Sequence, residues 1–351
     1  MVPPDLFIMH SRLEWRNYFL SKGAADNNLL SSALDYVENL NKNNVPVIFD
    51  FDHLCLLVGR SEDYMANVIN ASEKHWRTFK LQKRSGGFRE ISVPYPALLG
   101  VQKWIYHNIL KKVKVSPYCH GFVKNKSILT NVKWHIGKDQ LLRLDLSDFF
   151  PSIHINRVIY LFQSLGYNKQ VSFYLASLCC LNEKLPQGAP TSPYLSNLIA
   201  RPLDYRLKCL SKMKGLNYTR YADDLTFSGD EISNSLVTTI YRIIEDEGFT
   251  PNLHKTRLYK KKCRRIITGI SVTNKLTVPR SFKRELRQEL YYINKYGILD
   301  HIRHLKIKRR NYCQSLLGKV NFWLFVEPKC EEALEAKKFV MRLMKSGFSD
   351  V

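Results

Sequence analysis

The chain has 351 residues, with 54 Lys and Arg against 31 Asp and Glu, so its formal net charge is +23. Hydrophobic residues make up 45% and aromatic residues 12%, which is enough to build a core and excludes general disorder. No apolar run approaches the roughly 20 residues of a membrane span, and the start, MVPPDLFIMHSRLEW, lacks the apolar stretch of a signal peptide. We therefore expect a cytoplasmic protein whose eight cysteines, with no C-x-x-C pair, are reduced thiols.

The N-terminal part is predicted to be helical over residues 1–75, with amphipathic helices at 31–41 and 61–72 and Ser61 as an N-cap. Residues 76–94 alternate as in a β-hairpin, with Ser85-Gly86-Gly87 as the turn. A strand is predicted at 140–146, a hairpin at 218–228, and a strand pair at 264–271 with 275–278. Apolar periodicity predicts helices at 98–113, 156–165, 169–181, 192–210, 236–247, 281–296, 311–325 and 329–345. This mixture predicts an α+β fold with strands in the middle and a helical C-terminus.

The positive charge is concentrated in residues 255–310, which hold 18 Lys and Arg against three Asp and Glu. A solvated surface explains scattered charges better than it explains such a block, whereas a phosphate backbone explains the block directly. Tyrosines 259, 291, 292 and 296 are interleaved with it and suit either the core or stacking on bases. Nucleic acid is therefore the leading class of partner. The phosphate-binding candidates are Lys260, Lys261, Lys262, Arg264 and Arg265.

Two carboxylate clusters interrupt apolar, β-prone runs. The first contains Asp145 and Asp148, followed by Phe149 and Phe150, and the second is Tyr221-Ala-Asp223-Asp224. A buried carboxylate is costly unless it is paired or binds a metal, and adjacent carboxylates repel each other. Divalent cations relieve both costs and drive in-line phosphoryl transfer. On the carboxylates alone, an Asp-rich surface turn fits equally well.

The loop Leu185-Pro-Gln187-Gly-Ala-Pro-Thr-Ser192-Pro lies between the two clusters in the sequence. Its Pro and Gly residues predict a fixed loop, and Ser192 is the expected N-cap of the helix that follows. Three motifs in this order exclude the surface-turn interpretation and indicate a polymerase palm.

The chain resembles a bacterial reverse transcriptase from about residue 75 to residue 325. The resemblance implies a right-hand polymerase fold, with an antiparallel palm sheet that carries the catalytic residues Asp145, Asp223 and Asp224. It implies two Mg²⁺ ions held at these residues and Leu146, and deoxynucleoside triphosphates as substrates. The nucleotide site is expected at Asp148, Phe149, Phe150, Gln187 and Lys255, with Lys83 and Arg89 of the hairpin on the triphosphate. Phe150 matches the aromatic gate that clashes with a ribose 2′-hydroxyl.

Two short segments resemble the retron branch of the family. Asn131-Val-Lys-Trp-His135 is similar to its Asn-Ala-x-x-His motif, and Ile267-Thr268-Gly269 to its Val-Thr-Gly motif, each with one conservative change. The resemblance implies that Asn131, His135, Tyr221, Thr268 and Gly269 contact RNA or DNA, although packing inside the palm suits His135 equally well.

The resemblance divides the chain into an N-terminal helical extension at 1–75, fingers at 76–139 with parts of 155–185, a palm at 140–260 and a basic thumb at 261–351. The expected activity is synthesis of single-stranded DNA on a structured non-coding RNA, giving a branched product, in anti-phage defence with an effector protein. Two alternatives stay open. One is a bacterial defence or abortive-infection reverse transcriptase outside the retrons, and the other is an inactive RNA-binding scaffold for an effector.

Overall fold

A computed structural model describes residues 11–23, 26–83, 86–261, 263–306 and 311–348. Four helices come first: α1 (Arg12–Ser21), α2 (Asn27–Lys42), α3 (Phe51–Val58) and α4 (Glu62–Asn70). The helix predicted at 31–41 is part of α2, and α4 has the predicted cap, because the Ser61 side chain accepts a hydrogen bond from the Tyr64 amide. The helices α1 and α3 also lie within residues 1–75, which the sequence predicts to be helical, although it predicts no bounds for these two helices.

The predicted hairpin is confirmed as β1 (Trp76–Gln82) and β2 (Phe88–Pro94), which pair antiparallel from Trp76 opposite Pro94 to Gln82 opposite Phe88. The next helix, α5 (Pro96–Asn108), begins before the predicted residue 98. Proline suits the first turn of a helix, because amide protons there have no hydrogen-bond partner within the helix. A 3₁₀ turn at Leu110–Lys112 follows α5, and α6 (Ile128–Val132) comes next.

The central sheet is antiparallel and contains β3 (Gln140–Ser147), β4 (Asn217–Tyr221), β5 (Asp224–Gly229), β6 (Thr250–Pro251) and β7 (Arg257–Tyr259). Its order is β4-β5-β3, and β6 and β7 pair with different parts of the other edge of β3. The predicted strand and hairpin are confirmed, and β3 lies between β5 on one side and β6 and β7 on the other. It is therefore the strand around which the carboxylates are arranged.

Five helices cover this part of the chain: α7 (Ile155–Ser164), α8 (Lys169–Cys179), α9 (Ser192–Ile199), α10 (Arg201–Met213) and α11 (Asn234–Asp246). The single helix predicted at 192–210 is wrong, because the chain breaks at Ala200 and restarts with Pro202 in its first turn. The capping role predicted for Ser192 is also wrong. Thr191 is the N-cap, has helical rather than extended backbone angles, and makes no side-chain cap bond, while the Ser192 hydroxyl is buried without a partner.

The C-terminal part contains three short strands, β8 (Ile266–Ile267), β9 (Ile270–Val272) and β10 (Leu276–Thr277). The continuous strand predicted at 264–271 is wrong: Thr268 and Gly269 both have positive φ and turn the chain back, so that β8 and β9 form a hairpin. Four helices follow: α12 (Arg280–Tyr296), α13 (Ile298–His304), α14 (Tyr312–Val326) and α15 (Glu331–Leu343). The sequence predicts three of them but not the short α13.

Two hydrophobic clusters hold the described residues together. The larger runs from Trp15 to Phe249 and joins the N-terminal helices, α5, the central sheet and α7–α11. The smaller is formed mainly by residues 267–340 and also includes Val132 and Leu141. No helix among the described residues has the length and apolar character to cross a membrane.

Candidate active site

The second carboxylate cluster forms the tight connection between β4 and β5. Tyr221 and Asp224 are paired across the two strands, which leaves Ala222 and Asp223 as a two-residue loop. Ala222 has φ of 57°, the positive value that such hairpin loops require at their first position. The turn therefore fixes Asp223 at its tip and Asp224 at the start of β5.

Asp145 and Asp224 lie directly opposite each other in the register of β3 and β5. Directly opposite residues of an antiparallel pair share one face of the sheet, so the two carboxyl groups lie on the same side. The backbone also ties the clusters together, since the Leu146 amide donates to the Asp223 carbonyl over 3.0 Å. The structure thus brings all three predicted catalytic carboxylates to one place.

Two of these carboxylates are ion-paired. Lys255 Nζ lies 2.8 Å from Asp145 Oδ2, and the Arg143 guanidinium donates to both oxygens of Asp224. Asp223 takes part in none of the ion pairs of the described residues. The sequence predicts Lys255 near the site but not Arg143. Arg143 lies two residues before Asp145 on β3 and therefore on the same face of the sheet, which was a signal in the sequence.

The pKa of Asp223 is raised from 3.8 to about 6, first by burial and then by repulsion from Asp145 and Asp224. Burial also raises the pKa of Asp224, although Arg143 opposes the rise. The carboxylates therefore stand in a site that disfavours their negative charge and favours a bound cation.

The chemistry of these residues fits divalent metal ions. Carboxylate oxygens are the ligands that Mg²⁺ prefers, and Asp223 offers one that is paired with no cation among the residues that the structure describes. Leu146 can contribute only its backbone carbonyl, because its aliphatic side chain has no ligand atom. No group of three His, Cys, Asp or Glu side chains stands ready at metal-binding spacing in the ranges that the structure describes.

A buried ion pair supports the turn between β4 and β5. Arg220 is fully buried and donates to both oxygens of Asp204, at 2.7 and 2.8 Å, and to the carbonyl of Ala222 at 3.2 Å. Its pKa is raised because the Asp204 carboxylate outweighs the effect of burial. Tyr218 donates to the same carboxylate over 2.8 Å. The sequence does not predict this network, because no local pattern links Asp204 of α10 to Arg220 of β4.

The segment before α6 also packs against the turn. A Cβ atom added to Gly121 would lie 2.7 Å from the Ala222 amide nitrogen, so only glycine allows this approach. The His120 amide donates to the Arg220 carbonyl over 2.7 Å. The turn is therefore held on both sides.

The Gln187 loop is attached to the hairpin through its backbone, since the Ser92 amide of β2 donates to the Gln187 carbonyl over 2.8 Å. Gln187 is half-buried, whereas Lys83 and Arg89 of the hairpin are exposed. The hairpin and the loop are thus joined, with Lys83 and Arg89 facing solvent.

The residues after Asp145 differ in accessibility. Asp148 has φ of 44° and is exposed, while the Phe149 side chain is buried and packs 5.6 Å from the Phe249 ring. The Phe149 side chain therefore packs in the core, and the nucleotide contact predicted for this residue stays a prediction. Phe150 is half-buried between the rings of Phe149 and Phe122, at 5.5 and 6.3 Å.

The side chains of His135 and Asn131, for which the sequence predicts RNA contacts, are each 1% exposed, and those contacts stay predictions. His135 lies between Ser228 and Thr219, with its ring nitrogens 2.7 and 2.8 Å from their hydroxyl oxygens. Burial lowers its pKa to about 3, so it stays neutral. The histidine packs against the β4–β5 hairpin, which was the other interpretation of the motif.

The predicted basic block is divided between surface and interior. Lys260, Lys261 and Arg264 are exposed, and Lys261 pairs with Asp139 at 2.8 Å. Arg265 is buried and donates to the Lys138 carbonyl, and the phosphate contact predicted for it stays a prediction. Lys262 lies outside the described residues.

The remaining predicted contacts lie at turns, and three tyrosines lie on the surface. Gly269 is exposed at the β8–β9 turn, beside the half-buried Thr268. Tyrosines 291, 292 and 296 of α12 are 40–58% exposed, which excludes the core interpretation for them. They are therefore available for contacts outside the chain.

Comparison with known proteins agrees with this geometry. A family profile described as reverse transcriptase (RNA-dependent DNA polymerase) matches residues 81–271, which include Asp145, Gln187, Asp223 and Asp224. The chain is 35% identical over 266 residues to the retron Ec86 reverse transcriptase of Escherichia coli, covering 74% of this chain and 83% of that relative. It is 38% identical over 254 residues to the retron Mx65 reverse transcriptase of Myxococcus xanthus, covering 67% and 60%.

Among solved structures, the foamy viral protease-reverse transcriptase in complex with ds DNA matches with a TM-score of 0.39 and 14% identity, over 95% of this chain and 60% of that one. The curated relatives favour the retron branch over the two alternatives and agree with the α+β right-hand polymerase fold. The chain belongs to the retron reverse transcriptases and is an RNA-directed DNA polymerase.

Proposed function

We propose that this polymerase copies part of a structured non-coding RNA into single-stranded DNA and yields a branched RNA–DNA product. The observation that carries the proposal is the register that places Asp145 opposite Asp224, with Asp223 at the adjoining turn. By resemblance to retrons, the primer is the 2′-hydroxyl of a guanosine in the same RNA. We further propose a role in anti-phage defence with an effector protein.

We propose the fingers at residues 76–139 with parts of 155–185, the palm at 140–260 and the thumb at 261–351. In this assignment, Arg89 and Lys83 of the hairpin bind the triphosphate of the incoming nucleotide, and Gln187 lies beside that nucleotide. The planar fork of Arg89 suits phosphate oxygens. Phe150 excludes a ribose 2′-hydroxyl, which gives the preference for deoxynucleotides.

Asp145, Asp223 and the Leu146 carbonyl would hold two Mg²⁺ ions, while Arg143 holds Asp224 beside them. When bound, such ions lower the pKa of the primer hydroxyl and stabilise the leaving pyrophosphate. Lys255 is 60% exposed at its side chain, so it can exchange Asp145 for a phosphate oxygen. The chain itself thus positions charges and contributes no covalent nucleophile.

The test is to purify the protein with its co-expressed RNA and to treat the bound nucleic acid with RNase and a 2′–5′ debranching enzyme. The control is the Asp223→Ala, Asp224→Ala variant. A single-stranded DNA of one sequence, whose mobility changes on debranching and which is absent from the variant, is expected. Unbranched DNA would contradict the priming proposal, and equal DNA in both samples would contradict the assignment of the catalytic residues.

A further inference from the structure

A cleft of about 970 Å³ lies outside the candidate active site, between residues 114–118 and the helices α7, α9 and α10. Its lining contains no Asp or Glu and none of the residues assigned to the metal, the nucleotide or the thumb. Three cations and three tyrosines line it: Lys114, Arg157, Arg201, Tyr118, Tyr160 and Tyr205. We call this site the α7–α10 cleft.

Two of the three cations of the cleft, Lys114 and Arg201, are exposed, whereas Arg157 is half-buried. Among the ion pairs of the described residues, none involves Lys114, Arg157 or Arg201. The neighbouring Arg206 differs, because it pairs with both Asp246 and Glu247. The Glu247 carboxylate also favours the charged form of Arg157 electrostatically, although burial lowers the pKa of this residue. The Arg157 guanidinium lies 4.6 Å from the centre of the Phe249 ring, and its Nη1 is buried without a hydrogen-bond partner. The positive charge of the cleft is therefore only partly compensated within the chain.

Two of the three tyrosine rings of the cleft face solvent, while Tyr118 is half-buried. Tyr160 is 70% exposed and Tyr205 is 72% exposed, which is unusual for side chains that bury much apolar area when they pack. Lys208 Nζ lies 5.0 Å from the Tyr118 ring centre and adds a further positive charge at the edge. Exposed rings beside uncompensated cations are the combination with which proteins bind unpaired nucleotides, because bases stack on the rings and phosphates meet the cations.

We propose that the α7–α10 cleft binds a short single-stranded segment of RNA at a second place, separate from the site of copying. The charges select a polyanion, and the exposed rings favour unpaired bases over a duplex, whose bases are stacked inside. This inference deepens the proposed function and rests on it, because it names the part of the RNA partner that this surface recognises. RNA would thus be held on one face while another part of it is copied.

The test measures binding of a short fluorescent oligouridine to the full chain, with an unlabelled RNA–DNA template–primer occupying the active site. In one variant, Tyr160→Leu and Tyr205→Leu remove both rings, and in the matched control, Tyr160→Phe and Tyr205→Phe keep them. We expect the leucine variant to bind at least about tenfold more weakly and the phenylalanine variant within about twofold of the parent. A third variant, Arg201→Gln, is expected to weaken binding and reduce its salt dependence.

DNA synthesis on the generic template–primer reports on folding and is expected to be unchanged in every variant. Equal affinity of the leucine and phenylalanine variants would overturn the proposal. So would a polyglutamate peptide that binds in a ring-dependent way and displaces the oligouridine, because the occupant would then be an acidic protein segment. Absence of DNA synthesis in the parent, together with ring-dependent binding of oligouridine, would contradict the proposed polymerase function while supporting the cleft as an RNA site.

Discussion

Arg220 and Asp204 form an ion pair inside the protein core, and Arg220 lies next to the turn between β4 and β5. Removing one member of a buried pair leaves the other charge without a partner, which typically costs about 3–5 kcal/mol. We therefore expect Arg220→Met to lower the stability by about that amount and to shift the denaturant midpoint of unfolding. The same variant should synthesise less DNA even where it is folded, because Arg220 also holds the Ala222 carbonyl.

Arg206 provides the control for this substitution. It lies on the same helix as Asp204 and forms ion pairs at the surface, where its side chain is 39% exposed. Exposed pairs contribute about 0–1 kcal/mol, so Arg206→Met should leave the midpoint nearly unchanged. Equal shifts for the two variants would show that burial of the Arg220 pair is not what matters.

Asp223 makes the metal-free protein sensitive to pH. Its folded-state pKa is about 6 against an ordinary value of 3.8, so the folded state binds more protons than the unfolded state between these values. The free energy of unfolding consequently falls as pH rises from about 4 to 6, and the loss is complete above pH 6.

Asp223→Asn removes this loss, so in the presence of EDTA the variant should be more stable than the parent at pH 7.5 by up to about 3 kcal/mol. The difference should shrink steadily toward pH 4.5 in denaturant titrations. Asp230→Asn, at an exposed carboxylate just after β5, is the control. A stability difference that does not vary with pH would contradict the assigned cause.

At the scale of elements, Gly188 determines how the Gln187 loop meets the β1–β2 hairpin. It has φ of 127°, and an added Cβ would lie 2.7 Å from the Ser92 carbonyl oxygen. Gly188→Ala is therefore expected to destabilise the protein by more than about 1 kcal/mol and to raise the KM for deoxynucleotides. Gly137→Ala is the matched control, because Gly137 also has positive φ but nothing lies within 4 Å of its added Cβ. Equal thermal shifts would exclude the contact with Ser92 as the cause.

Elements with strong local signals could be predicted from the sequence. The hairpin at 76–94 and the Ser61 cap are examples, because alternation and capping depend on neighbours in the chain. The break at Ala200 and the β8–β9 turn were missed, although Pro202 and Gly269 signalled both. In both cases the prediction followed the run of apolar residues. It overlooked Pro202, whose backbone is restricted, and Gly269, whose backbone readily adopts positive φ.

The site could be predicted only as far as its motifs extend. The order of the motifs was enough to single out Asp145, Asp223 and Asp224, but contacts across long stretches of sequence leave no local pattern. Arg220 meets Asp204 through the packing of α10 on β4, and His135 meets Ser228 through the packing of residues 133–135 on the sheet. Burial of this kind decides whether a polar residue contacts a ligand or supports the residues that do.

At the scale of the whole molecule, the net charge of +23 predicts nucleic-acid affinity that falls steeply with salt. Lys260→Ala with Lys261→Ala should weaken binding of a template–primer and make its logarithmic salt dependence shallower by about 0.9 for each phosphate that the protein no longer neutralises. Lys261 already pairs with Asp139, so Lys260→Ala should account for most of the change.

Lys42→Ala is the control for these lysines, because Lys42 pairs with Glu38 on the N-terminal α2. Binding is best followed by fluorescence anisotropy at several salt concentrations. An unchanged slope in the Lys260 and Lys261 variant would contradict the assignment of this surface to the phosphate backbone.

The N-terminal helices share their core with the polymerase. The Tyr167 hydroxyl donates to the Pro46 carbonyl, the Asn168 side-chain amide donates to the Phe49 carbonyl, and the Phe51 ring lies 4.9 Å from that of Tyr174. A fragment cut at the edge of the family match, residue 81, would lose the apolar surface that covers α8 and expose it to water. We therefore expect the smallest unit that folds to extend beyond the family match and to include residues 27–75.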